Sequence, residues 1–212
     1  MKNYGKLTGG IIVVWFLFAL FTSAAHLFEN NANRIGIAVA IAAAAPLIVF
    51  SLWFTASESF RKFTMALNPR ILTSAQFWRL IGFTFPLLEA HRVLPAIFAW
   101  PAGYGDMFIG ATAFFAAWQL AVPQRRNGFI AWQLLGILDL VTAVGLGTTA
   151  GLIDPHGVPM AAMTRLPLSL IPTFLVPLFF IFHVICIAQA RSWKAGEVSA
   201  NQFAHPLQQR AV

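Results

Sequence analysis

QFWRLIGFTFPLLEAHRVLPAIFAW, Gln76 to Trp100, is the stretch on which the fold turns. It is long and apolar enough to cross a bilayer, which takes about 20 residues of helix. Yet Glu89, His91 and Arg92 fall near its middle. A charge at that depth costs about 2.5–3.5 kcal/mol even on insertion scales, so it calls for a partner, a water-filled cavity or a function. Glu89 and Arg92 stand three residues apart, on one helical face at pairing distance, with His91 turned away. The plainer reading is a buried ion pair that only fixes packing, and such pairs are weak evidence of added stability. Pro86 and Pro95 bracket the group, and irregular backbone beside charge lines cavities rather than facing lipid.

The rest of the chain supplies the setting. Of 212 residues, 58% are hydrophobic and only 10% charged, with a mean hydropathy of +0.73; soluble domains carry about 25% charged residues. The sequence therefore predicts an all-α, polytopic membrane helical bundle. We expect a single transmembrane domain over residues 1–212 with about six spans, near 8–28, 35–56, 76–100, 101–122, 129–149 and 166–190. Trp100-Pro101 reads as the tight turn between spans three and four, with Pro101 at the first helical position. Between spans two and three, Phe60, Phe63 and Leu67 recur at helical spacing beside Arg61 and Lys62, an amphipathic helix on the membrane surface. Asn68-Pro69 ends that pattern, and Thr73 with Gln76 has the spacing of a capping box for the third span.

Basic residues set the expected orientation. With the N-terminus inside, Lys2, Lys6, Arg61, Lys62, Arg70, Arg79, Arg125, Arg126, Arg191, Lys194 and Arg210 are cytoplasmic, Arg34 and Arg165 are outside, and Arg92 is within a span. That bias predicts both termini cytoplasmic. The net charge of +7 is thus a topology signal, and no basic stripe interleaved with aromatics points to nucleic acid. Thr22-Ser23-Ala24-Ala25 is passable as a signal-peptide cleavage region, but the first helix is expected to be retained. Cys186 is the only cysteine, so neither a disulfide framework nor a cysteine metal site is expected.

Two more acids lie within spans. Asp106 stands early in the fourth, where a helix N-terminus favours a carboxylate; Gly103, Asp106, Gly110, Ala113 and Ala117 form a small-residue stripe that admits a close neighbour. Asp139 falls at the midpoint of the fifth span, too deep to reach the surface, with Gly136, Thr142 and Ala143 on its face. Glu89, Asp106 and Asp139 against Arg92 alone leave one carboxyl neutral or holding an exchangeable proton or cation. Pro167, Pro172 and Pro177 predict a broken sixth span, the kind that lines transporter sites. His183 lies in its more regular half, either a hydrogen-bonded core residue or a ligand. A haem shared with His91 would need equal depth, and the two histidines sit roughly 10 Å apart along the membrane normal. His156, Met160 and Met163 in an outer loop offer the imidazole and thioethers that suit Cu(I), as a weak alternative to methionines that cover a loop.

No nucleotide-binding loop, nucleophile elbow or zinc-protease string is present, which leans against an enzyme. Gln76-Phe77-Trp78-Arg79, the Leu-Pro pairs and Trp100-Pro101-Ala102-Gly103-Tyr104-Gly105-Asp106 resemble a group of small bacterial multi-pass membrane proteins with no assigned function. That resemblance implies a bacterial inner membrane and no chemistry. From the residues themselves the expectation is a small ion-coupled transporter or channel-like protein, in a homo-oligomer or membrane complex. Its binding residues would be Glu89, His91, Arg92, Asp106 and Asp139, with a small molecule or ion as substrate and no resident cofactor. The alternatives are a redox protein holding haem or quinone near His91 or His183, and a non-catalytic accessory or assembly subunit.

Overall fold

The computed structural model describes residues 2–29 and 36–193; Arg34, Lys194 and Arg210 of the charge count lie outside them. Every regular element among the described residues is helical. Four helices are long and apolar enough to cross a membrane: Tyr4–Ala24, Ile37–Ala56, Pro123–Ile153 and Ile171–Ser192.

In chain order the α-helices are α1 (Lys2–Ala24), α2 (Ile37–Ala56), α3 (Glu58–Met65), α4 (Pro69–Ser74), α5 (Thr84–Ala90), α6 (Ala96–Phe115), α7 (Arg126–Ile153) and α8 (Val176–Ser192). The inner bundle consists of α4 to α8, and α1 and α2 lie on its flank. Val14, Phe18 and Phe21 on α1 and Ile41, Val49 and Leu52 on α2 are exposed, forming an apolar outer surface of the kind lipid covers. The α1 helix is tied inward by Trp15 Nε1 donating to Thr173 O at 3.1 Å and by the Ser169 and Ser23 hydroxyls at 2.9 Å.

The expected amphipathic helix is α3. Ser57 caps it by accepting from the Phe60 amide at 3.3 Å, a role for which serine is favoured. Phe60 is buried and stacks on Trp53 at 3.9 Å between ring centroids, while Phe63 stacks on Tyr4 of α1. Gln189 near the end of α8 donates to the Thr64, Met65 and Leu67 carbonyls, fixing α3 and the chain after it to this end of the bundle. Lys6, Arg61, Lys62, Arg70, Arg125, Arg126 and Arg191 belong to the elements that meet here. Arg92 and Arg165 lie at the other end.

Two expectations are corrected. The cap after the Asn68-Pro69 break is Asn68 itself, which accepts from the Arg70 amide at 2.9 Å with Pro69 in the first turn; Thr73 and Gln76 form no capping box. The tight turn is at His91–Pro95 rather than Trp100-Pro101. Pro95 disfavours a helical conformation for the residue before it, and the run from Gln76 to Trp100 does not continue as one helix. It breaks with Arg92 in the left-handed region, φ 56°, its amide donating to Glu89 O at 2.7 Å. The α6 helix then starts at Ala96 and carries Pro101 inside it. Glu89, His91 and Arg92 are consequently at an end of the bundle and not at mid-depth.

This shift moves Asp106 from the first turns of its helix to the middle. The small-residue stripe is as expected, with Gly103, Gly110, Ala113 and Ala117 buried where α6 packs against the segment Ala75–Phe83. That segment is wound as a 3-10 helix of nine residues. The proline-rich stretch before α8 is irregular as expected, with a π-turn at Ile171–Leu175.

Asn68→Ala removes the one side-chain cap at the start of α4, so the detergent-solubilised protein should lose about 1 kcal/mol of stability. Chemical unfolding would read this, and an unchanged transition would count against the cap.

Candidate functional site

The centre of the bundle is Arg79, midway along the 3-10 segment. In a 3-10 helix residues three apart eclipse one another, so Gln76, Arg79 and Gly82 point the same way, and all three are buried. Thr73, three residues earlier at the end of α4, is buried too. An α-helical winding would have fanned these side chains around the axis. The 3-10 winding stacks them into one polar ridge aimed at α6, α7 and α8.

Arg79 is only 2% exposed, and each of its guanidinium nitrogens has a partner. Nε donates to Asp106 Oδ1 of α6 at 2.7 Å, and Nη2 donates to Asp139 Oδ2 of α7. Nη1 donates to Gly136 O of α7 and to His183 Nε2 of α8, each at 3.3 Å. Because a guanidinium only donates, His183 Nε2 accepts. The imidazole proton is then on Nδ1, which donates to Gln133 Oε1; Gln133 Nε2 donates in turn to Thr73 Oγ1 at 3.0 Å. A continuous polar chain thus runs from Asp106 through Arg79, His183 and Gln133 to Thr73, joining α6, the 3-10 segment, α8, α7 and α4. Trp132 covers one side of the imidazole, its ring centroid 5.8 Å from that of His183.

Helices must approach closely for these bonds to form. A Cβ on Gly136 would overlap the His183 ring, and one on Gly105 would overlap the Asp139 carboxylate. Glycine is needed at both positions for close approach rather than for backbone conformation.

Among the residues singled out from sequence, Asp106, Asp139 and His183 are brought together here. Glu89, His91 and Arg92 are not. Glu89 is half-buried while His91 and Arg92 are exposed, and no Glu89–Arg92 ion pair is present among the described residues. His156 is exposed, whereas Met160 and Met163 are buried in an apolar cluster with Phe85, Leu94 and Phe98, so imidazole and thioethers form no common ligand set. Among the described residues no group of three or more His, Cys, Asp and Glu is placed to hold a metal ion. For His183 to ligate a haem, one of its two ring hydrogen bonds would have to break.

Sequence reasoning misses Arg79, Gln133, Gln76 and Thr73. An α-helix starting at Gln76 would put Arg79 in its first turn, at the cytoplasmic end. The signal that finds it is the spacing Thr73, Gln76, Arg79, Gly82, a strict three-residue polar and glycine pattern within an apolar run.

Residues 34–191 match the domain of unknown function DUF8737. No curated protein and no solved structure matches the chain.

Breaking a buried ion pair by removing one partner costs about 3–5 kcal/mol, whereas replacing a whole buried set by apolar or neutral groups is often tolerated. Arg79→Met alone should therefore strongly destabilise the solubilised protein, and Arg79→Met combined with Asp106→Asn and Asp139→Asn should recover most of the loss. Equal stability of the single and triple variants would contradict the shared network.

Proposed function

We propose that this chain, which belongs to the DUF8737 family, is a small ion-coupled membrane transporter whose coupling centre is Arg79 with Asp106 and Asp139. The observation that carries the reading is the charge count. Two carboxylates share one guanidinium, and His183 is held as a neutral donor and acceptor. When both carboxyls are ionised the cluster has one negative charge too many for an apolar surround, and a proton or a cation restores the balance.

The coupling follows from how Arg79 is held. Its partners belong to α6, α7 and α8 while its backbone belongs to the 3-10 segment, so the guanidinium fixes the relative placement of four segments. A proton on Asp139 weakens its hold on Nη2 and lets Arg79 shift toward Asp106, Gly136 O and His183. Loss of that proton draws Arg79 back. Each arrangement favours a different packing of α6 against α7, which is what alternating access requires of its mobile elements. Arg79 takes the role that the sequence suggested for Arg92.

Six spans fit this reading. They are α1, α2, the continuous 69–90 segment, α6 with its π-turn, α7, and α8 with the turn before it. Positive charge gathered at one end supports cytoplasmic termini, and a bacterial inner membrane is the setting to test first. A homo-oligomer is compatible with the apolar outer faces of α1 and α2. Neither the redox nor the accessory reading has a specific observation in its favour.

Proteoliposomes adsorbed on a solid-supported membrane and stepped in pH should give a transient charge displacement as the cluster binds or releases its proton. Asp139→Asn should abolish it. A wild-type signal no larger than that of Asp139→Asn or protein-free liposomes would overturn the reading.

A further inference from the structure

Next to the charged cluster lies a cavity of about 320 Å³. Val39 and Ala43 of α2, Phe85, Phe98, Leu140 and Phe180 are among the residues that make its walls, and they are apolar. Among the described residues, Asp106 is the one charged side chain in the lining. Its Oδ1 accepts from Arg79 Nε, and its Oδ2 has no hydrogen bond among the described residues.

The lining includes residues of the outer face of the bundle. The α2 helix packs on α8 and on the π-turn before it, and only Val39 of α2 is buried. Across the gap, Val141 and Val144 of α7 line the cavity while staying 54% and 41% exposed. Its mouth is therefore between α2 and α7, at the level of the apolar outer surface. A molecule that enters there comes from the lipid phase.

We infer that this cavity binds a hydrophobic organic cation, such as a lipid-soluble amine or quaternary onium ion, admitted from the bilayer between α2 and α7 and held with its charge against Asp106. The inference rests on the charge count of the proposed coupling centre and names the class of substrate it would serve. Three alternatives fit less well. An anion would need donors from Arg79, but Arg79 is not among the residues that line the cavity, and four of its five N–H groups are already given to the cluster. A bare metal ion would need several oxygens in place of its water, and the walls supply one free carboxylate oxygen. A neutral lipid tail would fill the space but make no use of the carboxylate in its wall, leaving the excess negative charge to a proton alone. A bulky monocation answers both demands, and the rings of Phe85, Phe98 and Phe180 offer it aromatic faces.

Tetraphenylphosphonium and tetraphenylborate have nearly the same size and shape but opposite charge, which makes them the probes. Equilibrium dialysis against protein in nanodiscs, corrected for uptake by empty nanodiscs of the same lipid, should show saturable binding of the phosphonium and none of the borate. Asp106→Asn should weaken phosphonium binding at least tenfold. Ala43→Phe fills the cavity from α2 without touching the charged cluster, and should reduce binding to the same degree even if Asp106→Asn fails to fold. Equal binding of both ions, no saturable phosphonium binding, or undiminished binding in a folded Asp106→Asn or Ala43→Phe would overturn the inference. Absence of phosphonium binding with an intact pH-step current removes the ligand assignment alone. Saturable, charge-selective binding without that current supports the cavity's ligand and removes the coupling.

Discussion

One guanidinium, its three nitrogens engaged by partners on α6, α7 and α8, is the constraint on which this structure depends. Arg79 can be buried only because the surrounding groups replace the water it gives up, and a partly satisfied charge at that depth would be worse than an apolar residue. The requirement reaches far from Arg79 itself. It sets Asp106 and Asp139 at the same level on adjacent helices, and it fixes the His183 tautomer through Gln133. It also demands glycine at 105 and 136, where a Cβ would overlap the Asp139 carboxylate and the His183 ring.

The 3-10 winding of Ala75–Phe83 follows from the same constraint. A 3-10 helix has poorer hydrogen-bond geometry than an α-helix and seldom runs beyond three or four residues, so nine residues need a compensating gain. Alignment supplies it: Thr73, Gln76 and Arg79 form one ridge, with partners on α7, α8 and α6 respectively. Rewinding the segment to 3.6 residues per turn would swing Gln76 or Arg79 toward the lipid. The 3-10 winding therefore costs less than an unpaired cation in hydrocarbon.

How much of this is legible in the sequence depends on which physical signal each residue carries. Helical character and the membrane setting follow from apolar runs in α1, α2, α7 and α8, where composition alone is decisive. Asp139 can be read because it lies centrally in a span whose limits are nearly those of the apolar run. Asp106 and His183 stand out as residues, but their depth and partners do not. Pro95 misleads when it is taken as a bracket within a helix; as a helix stop, it moves Glu89, His91 and Arg92 to the surface and Asp106 to the middle. Arg79 is hidden by an assumption about pitch. On an α-helix starting at Gln76 it sits at the interface and satisfies the positive-inside rule, so nothing demands a partner for it.

The packing of α2 gives the cluster a neighbour unlike the rest of the bundle. Helices α6, α7 and α8 are locked to one another through Arg79 and through close contacts at small residues, whereas α2 presents Ala40, Ala43 and Ala44 to the cavity and buries only Val39. Pro46 within α2 also removes a backbone donor from the helix ladder. Moving such a helix outward breaks none of the bonds of the Arg79 cluster, while moving α6 or α7 must first loosen Arg79. In the proposed scheme, access from the lipid and the charge state of the cluster are set by different elements that meet at Asp106. It holds Arg79 with one oxygen and faces the cavity with its side chain, so whatever occupies the cavity acts on the grip that fixes α6 to the 3-10 segment.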